Sequence, residues 1–150
     1  AVAFHEAAQP DFRAYCEKIL ANAQALSGAL AEAGYRIVSG GTDNHVFLVD
    51  VGVKGLTGKE AEDVLGEVRI TVNKNTIPYD PQPPMVSSGV RLGTPALTSR
   101  GMGPEEMRRI GELIARALDG REDPSLLEGV RGDVAELCSG FPLYPERQPR

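Results

Sequence analysis

NKNTIPYDPQPPMVSSGVRLGT, residues 73–94, is a polar, proline-rich crossing between two apolar segments. Asn73, Lys74 and Asn75 close the β-branched run Ile70-Thr71-Val72, and Pro78, Pro81, Pro83 and Pro84 follow within seven residues. Proline at this density excludes a helix and denies a sheet its N–H donors. It predicts an extended loop of polyproline II character, ordered at low entropic cost. Beyond it, Ser87-Ser88-Gly89 leads into Val90-Arg91-Leu92-Gly93. An arginine between two apolar residues of a short strand is the oddest local choice in the chain. A guanidinium is expensive to bury alone, and its planar fork fits a carboxylate. The alternative is a surface arginine on an edge strand, since arginine is usually exposed. The loop therefore joins a third strand over residues 68–72, which delivers Asn73 and Asn75 to its end, to a fourth over residues 88–92, which carries Arg91.

Upstream, residues 1–8 favour a helix that Pro10 interrupts. A second helix spans residues 11–33, capped by Asp11 and stopped by Gly34, with Phe12, Tyr15, Cys16, Ile19, Ala23, Leu26 and Leu30 as its apolar stripe. Residues 35–38 read as a short strand and residues 39–44 as a turn. Gly40-Gly41 could cradle a phosphate, but no helix N-terminus follows to add its dipole. Four consecutive apolar residues, Val46 to Val49, predict a central strand over residues 45–51 covered on both faces. Thr57-Gly58-Lys59-Glu60 is a capping box opening a helix closed by Gly66, with Ala61, Val64 and Leu65 inward. Downstream of the loop, Gly93-Thr94-Pro95 reads as a turn. Gly103-Pro104 and Asp123-Pro124 each start a helix, with Pro at the first position. Met107, Ile110, Leu113, Ile114, Ala117 and Leu118 form one buried stripe; Leu126, Leu127, Val130, Val134, Leu137 and Cys138 form the next. The sum is an α+β fold: a small antiparallel or mixed sheet with helices packed on one face. Short connections argue against a parallel array, although the helix from Thr57 could serve as one crossover.

One domain is expected from 150 residues, in three parts: leading helices over 1–34, the sheet with its inserted helix and loop over 35–92, and helices over 93–150. Apolar residues make up 41% of the chain but aromatics only 5%, so its one core must be mostly aliphatic. A net charge of −5 with interleaved charges argues against a nucleic-acid surface. No apolar run approaches the roughly 18–20 residues of a membrane span. The start lacks the basic and apolar regions of a signal peptide, which suggests a cytoplasmic protein. Cys16 and Cys138 show no metal or redox spacing and read as buried free thiols; His5 and His45 have no ligand pattern around them. The chain opens on Ala1 inside a helical pattern, without an initiating methionine, and is expected to be the tail of a longer polypeptide. From the residues alone, Asn75 and Arg91 at neighbouring strand ends suggest a surface for an acidic small molecule with a polar ring.

TVNKNTIPYDP (71–81) followed by VSSGVRLGTPALTSRG (86–101) resembles the carboxyl-terminal small domain of serine hydroxymethyltransferases of the bacterial type. SGGTDNHVFLVD (39–50) and LTGKEAEDVLG (56–66) resemble the same family in the same order, and the similarity runs from residue 1 to about 144. The resemblance implies the small domain of the aspartate-aminotransferase fold type. It also implies a pyridoxal 5′-phosphate enzyme that interconverts serine plus tetrahydrofolate with glycine plus 5,10-methylenetetrahydrofolate. It makes Arg91 the ligand of the amino-acid carboxylate and Asn75 a contact of the folate pterin. Relatives often read Ser-Pro-Phe beside the folate; here Pro83, Pro84 and Met85 stand there, so only Pro84 matches. Arg100 is the rival for Arg91, but it falls in a polar turn where binding would have to order it. The Schiff-base lysine lies in a Thr-rich His-Lys context in the family, and none of Lys18, Lys54, Lys59 and Lys74 has that context. The chain is accordingly expected to be inactive without an amino-terminal cofactor domain. Relatives form dimers or tetramers. Other readings are the small domain of a threonine aldolase or aminotransferase, which need no folate contact, and a free-standing binding or assembly module.

Overall fold

The computed structural model describes residues 1–144. Its elements run α1 (Val2–Ala7), α2 (Pro10–Glu32), β1 (Arg36–Ile37), β2 (Val46–Asp50), α3 (Gly58–Glu67), β3 (Asn73–Asn75), β4 (Gly89–Gly93), α4 (Pro95–Ser99), α5 (Pro104–Asp119) and α6 (Pro124–Ser139). The last six residues of the expected helical segment 93–150 lie outside the described residues. The fold is α+β, as expected, and its four-stranded sheet is antiparallel at every pairing, in the order β1-β2-β4-β3. Because β4 runs antiparallel to both neighbours, β2 and β3 are parallel to each other, and α3 is the crossover between them.

Pro10 opens α2 at a position where its missing N–H costs nothing, so Asp11 lies in the first turn and is not the cap. At the other end Gly34 takes φ +87°; its N–H donates to Ala31 O and that of Tyr35 to Leu30 O, both at 3.0 Å. This is the Schellman stop expected of that glycine. Ile19, Ala23, Leu26 and Leu30 are buried, whereas Tyr15 and Cys16 are only half-buried and Phe12 is exposed. The stripe thus reaches the core from Ile19 onward. An unforeseen polar tie lies beside it. Asn22, 1% exposed, donates through Nδ2 to Thr98 Oγ1 at 2.8 Å and Met102 O at 3.0 Å, joining α2 to α4 and the turn after it.

One face of the sheet carries Ile37, Phe47, Val49, Val90 and Leu92 into the core, against α2, α3, α5 and α6. The opposite face is not covered by a helix among the described residues. Val46 and Leu48 point that way and are half-buried, so β2 is central but not covered on both faces. The third strand also differs from expectation. Residues 68–72 pair with nothing, and β3 is the NKN triplet itself. The reason is the end of α3, which runs past Gly66 to Glu67. Arg69 then takes φ +65°, and the N–H groups of Arg69 and Ile70 donate back to Gly66 O at 3.0 Å and Leu65 O at 2.8 Å. This reversal takes up residues 68–70, with Val68 buried, and pairing starts only at Asn73. The capping box of α3 is present: Thr57 N donates to Glu60 Oε2 at 2.7 Å, and Glu60 N to Thr57 Oγ1 at 3.2 Å.

The Gly93-Thr94-Pro95 turn opens the short helix α4 instead of remaining a loop, with Thr94 Oγ1 donating to Ile19 O at 2.9 Å. Both proline-started helices form as expected. Asp123 accepts from Ser125 and Leu126 N–H, and Glu106 reaches back to Gly103 N at 2.7 Å. Both cysteines are free, but half-buried. Among the described residues, no helix is long and apolar enough to cross a membrane.

Candidate functional site

The open face of the sheet is set by pleat and register. Side chains alternate along a strand, so Ile37, Val49 and Val90 on the core face leave Arg36, Leu48, Asp50, Asn73, Asn75 and Arg91 on the other. Arg91 stands directly opposite Leu48 on β2 and Asn73 on β3, and Asn75 stands opposite Gly89. Lys74, between the two asparagines, points the other way and pairs with Glu62 of α3 at 3.6 Å. The surface-arginine alternative is half met. Arg91 is exposed, yet it lies on a strand bonded on both sides and not at an edge. Its guanidinium makes no hydrogen bond or ion pair among the described residues. A rigidly held, solvated fork without a protein partner is free to take a carboxylate. Asn75 donates through Nδ2 to Thr76 O at 2.7 Å, which leaves its Oδ1 open.

Gly89 permits this assembly. A Cβ there would stand 2.5 Å from Ile77 Cγ2 and 2.9 Å from Asn75 O, so any side chain would force β3 away from β4.

The loop over residues 76–88 is not the extended polyproline segment that its composition suggests. It folds into two turns. Asp80 N donates to Ile77 O at 3.1 Å, and the N–H groups of Val86 and Ser87 converge on Pro83 O at 2.9 Å. Tyr79 and Ser87 take φ +57° and +60°. Prolines fix φ but leave ψ free, and the Asp80 carboxylate draws the chain inward. It accepts from Ile77 N at 3.1 Å, Gln82 N at 2.9 Å, Ser88 N at 2.9 Å and Ser88 Oγ at 2.6 Å. Desolvation pushes its pKa upward, but the Ser88 hydroxyl and the three backbone N–H groups outweigh that and hold it at about 2. Asp80 was not singled out from the sequence, although an Asp before Pro is a turn signal. Pro83, Pro84 and Met85 form the second turn and are exposed; Pro84 O accepts from Ser87 Oγ at 2.9 Å.

Arg100 has a different occupation. Its Nε donates to Phe141 O at 2.8 Å and its Nη2 to Cys138 O at 3.1 Å, closing the carbonyl end of α6. Arg69, Arg91 and Arg100 all line a cavity of about 590 Å³ with Asn73, Leu97, Met102 and Leu137; of Arg91 and Arg100, Arg91 is the one without a hydrogen bond or ion pair among the described residues. In the Ser39–Asn44 turn, Thr42 Oγ1 accepts from Asn44 N at 3.2 Å, and Asn44 Oδ1 from Val46 N at 2.9 Å.

Residues 1–114 match the family model described as serine hydroxymethyltransferase. The chain belongs to the serine hydroxymethyltransferase family. It is 55% identical over 148 residues to the serine hydroxymethyltransferase of Koribacter versatilis (strain Ellin345), covering 99% of this chain and 35% of that protein. It is 57% identical over 147 residues to that of Myxococcus xanthus (strain DK1622), again over 35% of the relative, and 56% identical over 144 residues to that of Acidobacterium capsulatum. The chain thus spans about 35% of the length of these relatives. Serine hydroxymethyltransferases use pyridoxal phosphate, and the lysines of this chain do not fit a covalent site for it. Lys54 pairs with Asp119 at 3.3 Å, Lys59 pairs with Asp63, Lys74 faces α3, and Lys18 lies on α2, on the other side of the sheet from Arg91.

Proposed function

We propose that this chain is the carboxyl-terminal small domain of a serine hydroxymethyltransferase. In the complete enzyme it would serve the interconversion of serine and tetrahydrofolate with glycine and 5,10-methylenetetrahydrofolate. The observation that carries this reading is the Arg91 guanidinium on the open sheet face, unpartnered among the described residues, in line with Asn73 and beside Asn75. Arg91 binds the carboxylate of serine or glycine. A carboxylate leaving water recovers its solvation from two parallel N–H donors, and strand β4 holds those donors still. Asn75 offers Oδ1 to the donor edge of the pterin, and Pro83, Pro84 and Met85 border the folate. Pyridoxal phosphate, held by an amino-terminal domain, supplies the electron sink. That domain covers the open face, where Leu48 and Val46 give it apolar surface. The chain alone is therefore inactive. The complete protein is a cytoplasmic homodimer or tetramer, with no nucleic-acid or membrane partner.

The test is glycine binding to the complete enzyme, followed by the spectral change of the bound cofactor. Truncating one partner of a desolvated charge pair costs about 2–5 kcal/mol, roughly 30- to several-thousand-fold in affinity. Arg91→Ala should lose glycine to that extent while retaining pyridoxal phosphate. Arg91→Lys should fail almost as badly, because it keeps the charge without the fork. If Arg91→Lys titrates like the unaltered enzyme, the carboxylate site lies elsewhere.

A further inference from the structure

We propose that Asp80 is a positioning residue for the folate side of this site, an inference that rests on the reading of Asn75 and Pro83–Met85 given above. Loop 76–88 leaves β3 immediately after Asn75 and returns at Ser88, one residue before β4. The β3–β4 ladder is only three pairs long, Asn73 to Asn75, too short to hold a thirteen-residue loop in one shape. The Asp80 carboxylate supplies what the ladder lacks. Oδ2 takes the N–H groups of Ile77 and Ser88, at opposite ends of the loop; Oδ1 takes Gln82 N–H, next to Pro83, and the Ser88 hydroxyl. One side chain thereby ties the segment after Asn75, the segment before Pro83 and the entry to β4 to a single point. Ile77 is in turn pressed against Gly89, with no room for a Cβ between them.

Arg91 does not depend on this knot. It is held by the five-pair ladder to β2 as well as by β3. Asp80 therefore acts on the folate groups and not on the carboxylate group. This separates a positioning role from a general stabilising one, which would weaken both.

The experiment uses the complete enzyme with Asp80→Ala, Asp80→Asn, Ser88→Ala and Asn75→Ala. The readouts are KM for tetrahydrofolate, glycine affinity, and folate-independent cleavage of a 3-hydroxy amino acid. Misplacing a binding group by about an ångström costs up to about a hundredfold, so Asp80→Ala should raise the folate KM on the order of ten- to a hundredfold. Glycine affinity and folate-independent cleavage should stay within about twofold, since neither uses the loop. Asp80→Asn keeps one oxygen for the Ile77 and Ser88 N–H groups and should recover part of the loss. Ser88→Ala removes only the hydroxyl bond and should show a smaller rise; these two variants decide the matter if Asp80→Ala does not fold. A normal folate KM in the Asp80 and Ser88 variants, with Asn75→Ala impaired, would overturn the positioning role and leave the folate reading intact. A normal folate KM in Asn75→Ala as well would overturn the folate reading too. Equal loss of folate and glycine would reduce Asp80 to a structural residue.

Discussion

Arg91 and Arg100 are nine residues apart and chemically identical, yet their surroundings differ. Arg91 sits on a strand bonded on both sides, with its fork in solvent; Arg100 is folded back onto Cys138 O at the end of α6 and Phe141 O just after it. Arg100 adds a second donor to Cys138 O, in the last turn of α6, and gives one to Phe141 O just beyond it. Removing those bonds should cost stability and not ligand affinity. Arg100→Ala in the complete enzyme should lower stability by about 1–3 kcal/mol, measured by denaturant unfolding. Its glycine affinity should remain within about twofold of the unaltered enzyme. Loss of glycine at unchanged stability would exchange the two assignments. Strand context distinguishes these arginines in the sequence; the partners of Arg100 are not visible there, because they lie 38 and 41 residues away.

Helices in this chain follow their local signals closely, and their contacts do not. Pro104 and Pro124 at the first position, Asp123 as a cap, the Thr57–Glu60 box and the Gly34 stop all act over two to five residues, and all appear where the spacing puts them. What α2 and α5 do to each other is a matter of packing. They meet at Gly111, where a Cβ would stand 2.7 Å from Ala29 Cβ. Replacing a helical glycine by alanine ordinarily gains about 0.5–1 kcal/mol. At Gly111 that gain should be reversed, because Ala29 is a methyl group fixed to its helix and cannot rotate away. Gly111→Ala should destabilise by about 1–3 kcal/mol through overpacking. Gly129→Ala on α6, with nothing within 4 Å of its added carbon, should stabilise slightly. The pair is compared by urea midpoints; a stabilising Gly111→Ala would show that the helices can separate without loss. The missed strand at residues 68–72 has the same origin. Its β-branched residues suit a strand, but the reversal at the end of α3 takes residues 68–70, and pairing starts only at Asn73.

For the molecule as a whole, the layers place helices and core behind the sheet and leave its Arg91 face open. Cys16 on α2 and Cys138 on α6 are both free and half-buried. Thiol titration of the unfolded, unreduced chain should count two free thiols, and the folded protein should react more slowly at both; a crosslinked species by mass would contradict the structure. The sequence by itself determined the helices other than α4, the α+β class, the family resemblance and the placing of Arg91 in a strand. Each rests on chemistry that acts between near neighbours or on motifs read directly. Only the tertiary structure decided which sheet face Arg91, Asn73 and Asn75 share, that Arg100 is engaged, that Lys74 turns away, and that Asp80 gathers the proline loop into turns. Those facts depend on register and on contacts between residues distant in sequence, where a shift of one residue in pairing would move every side chain to the other face.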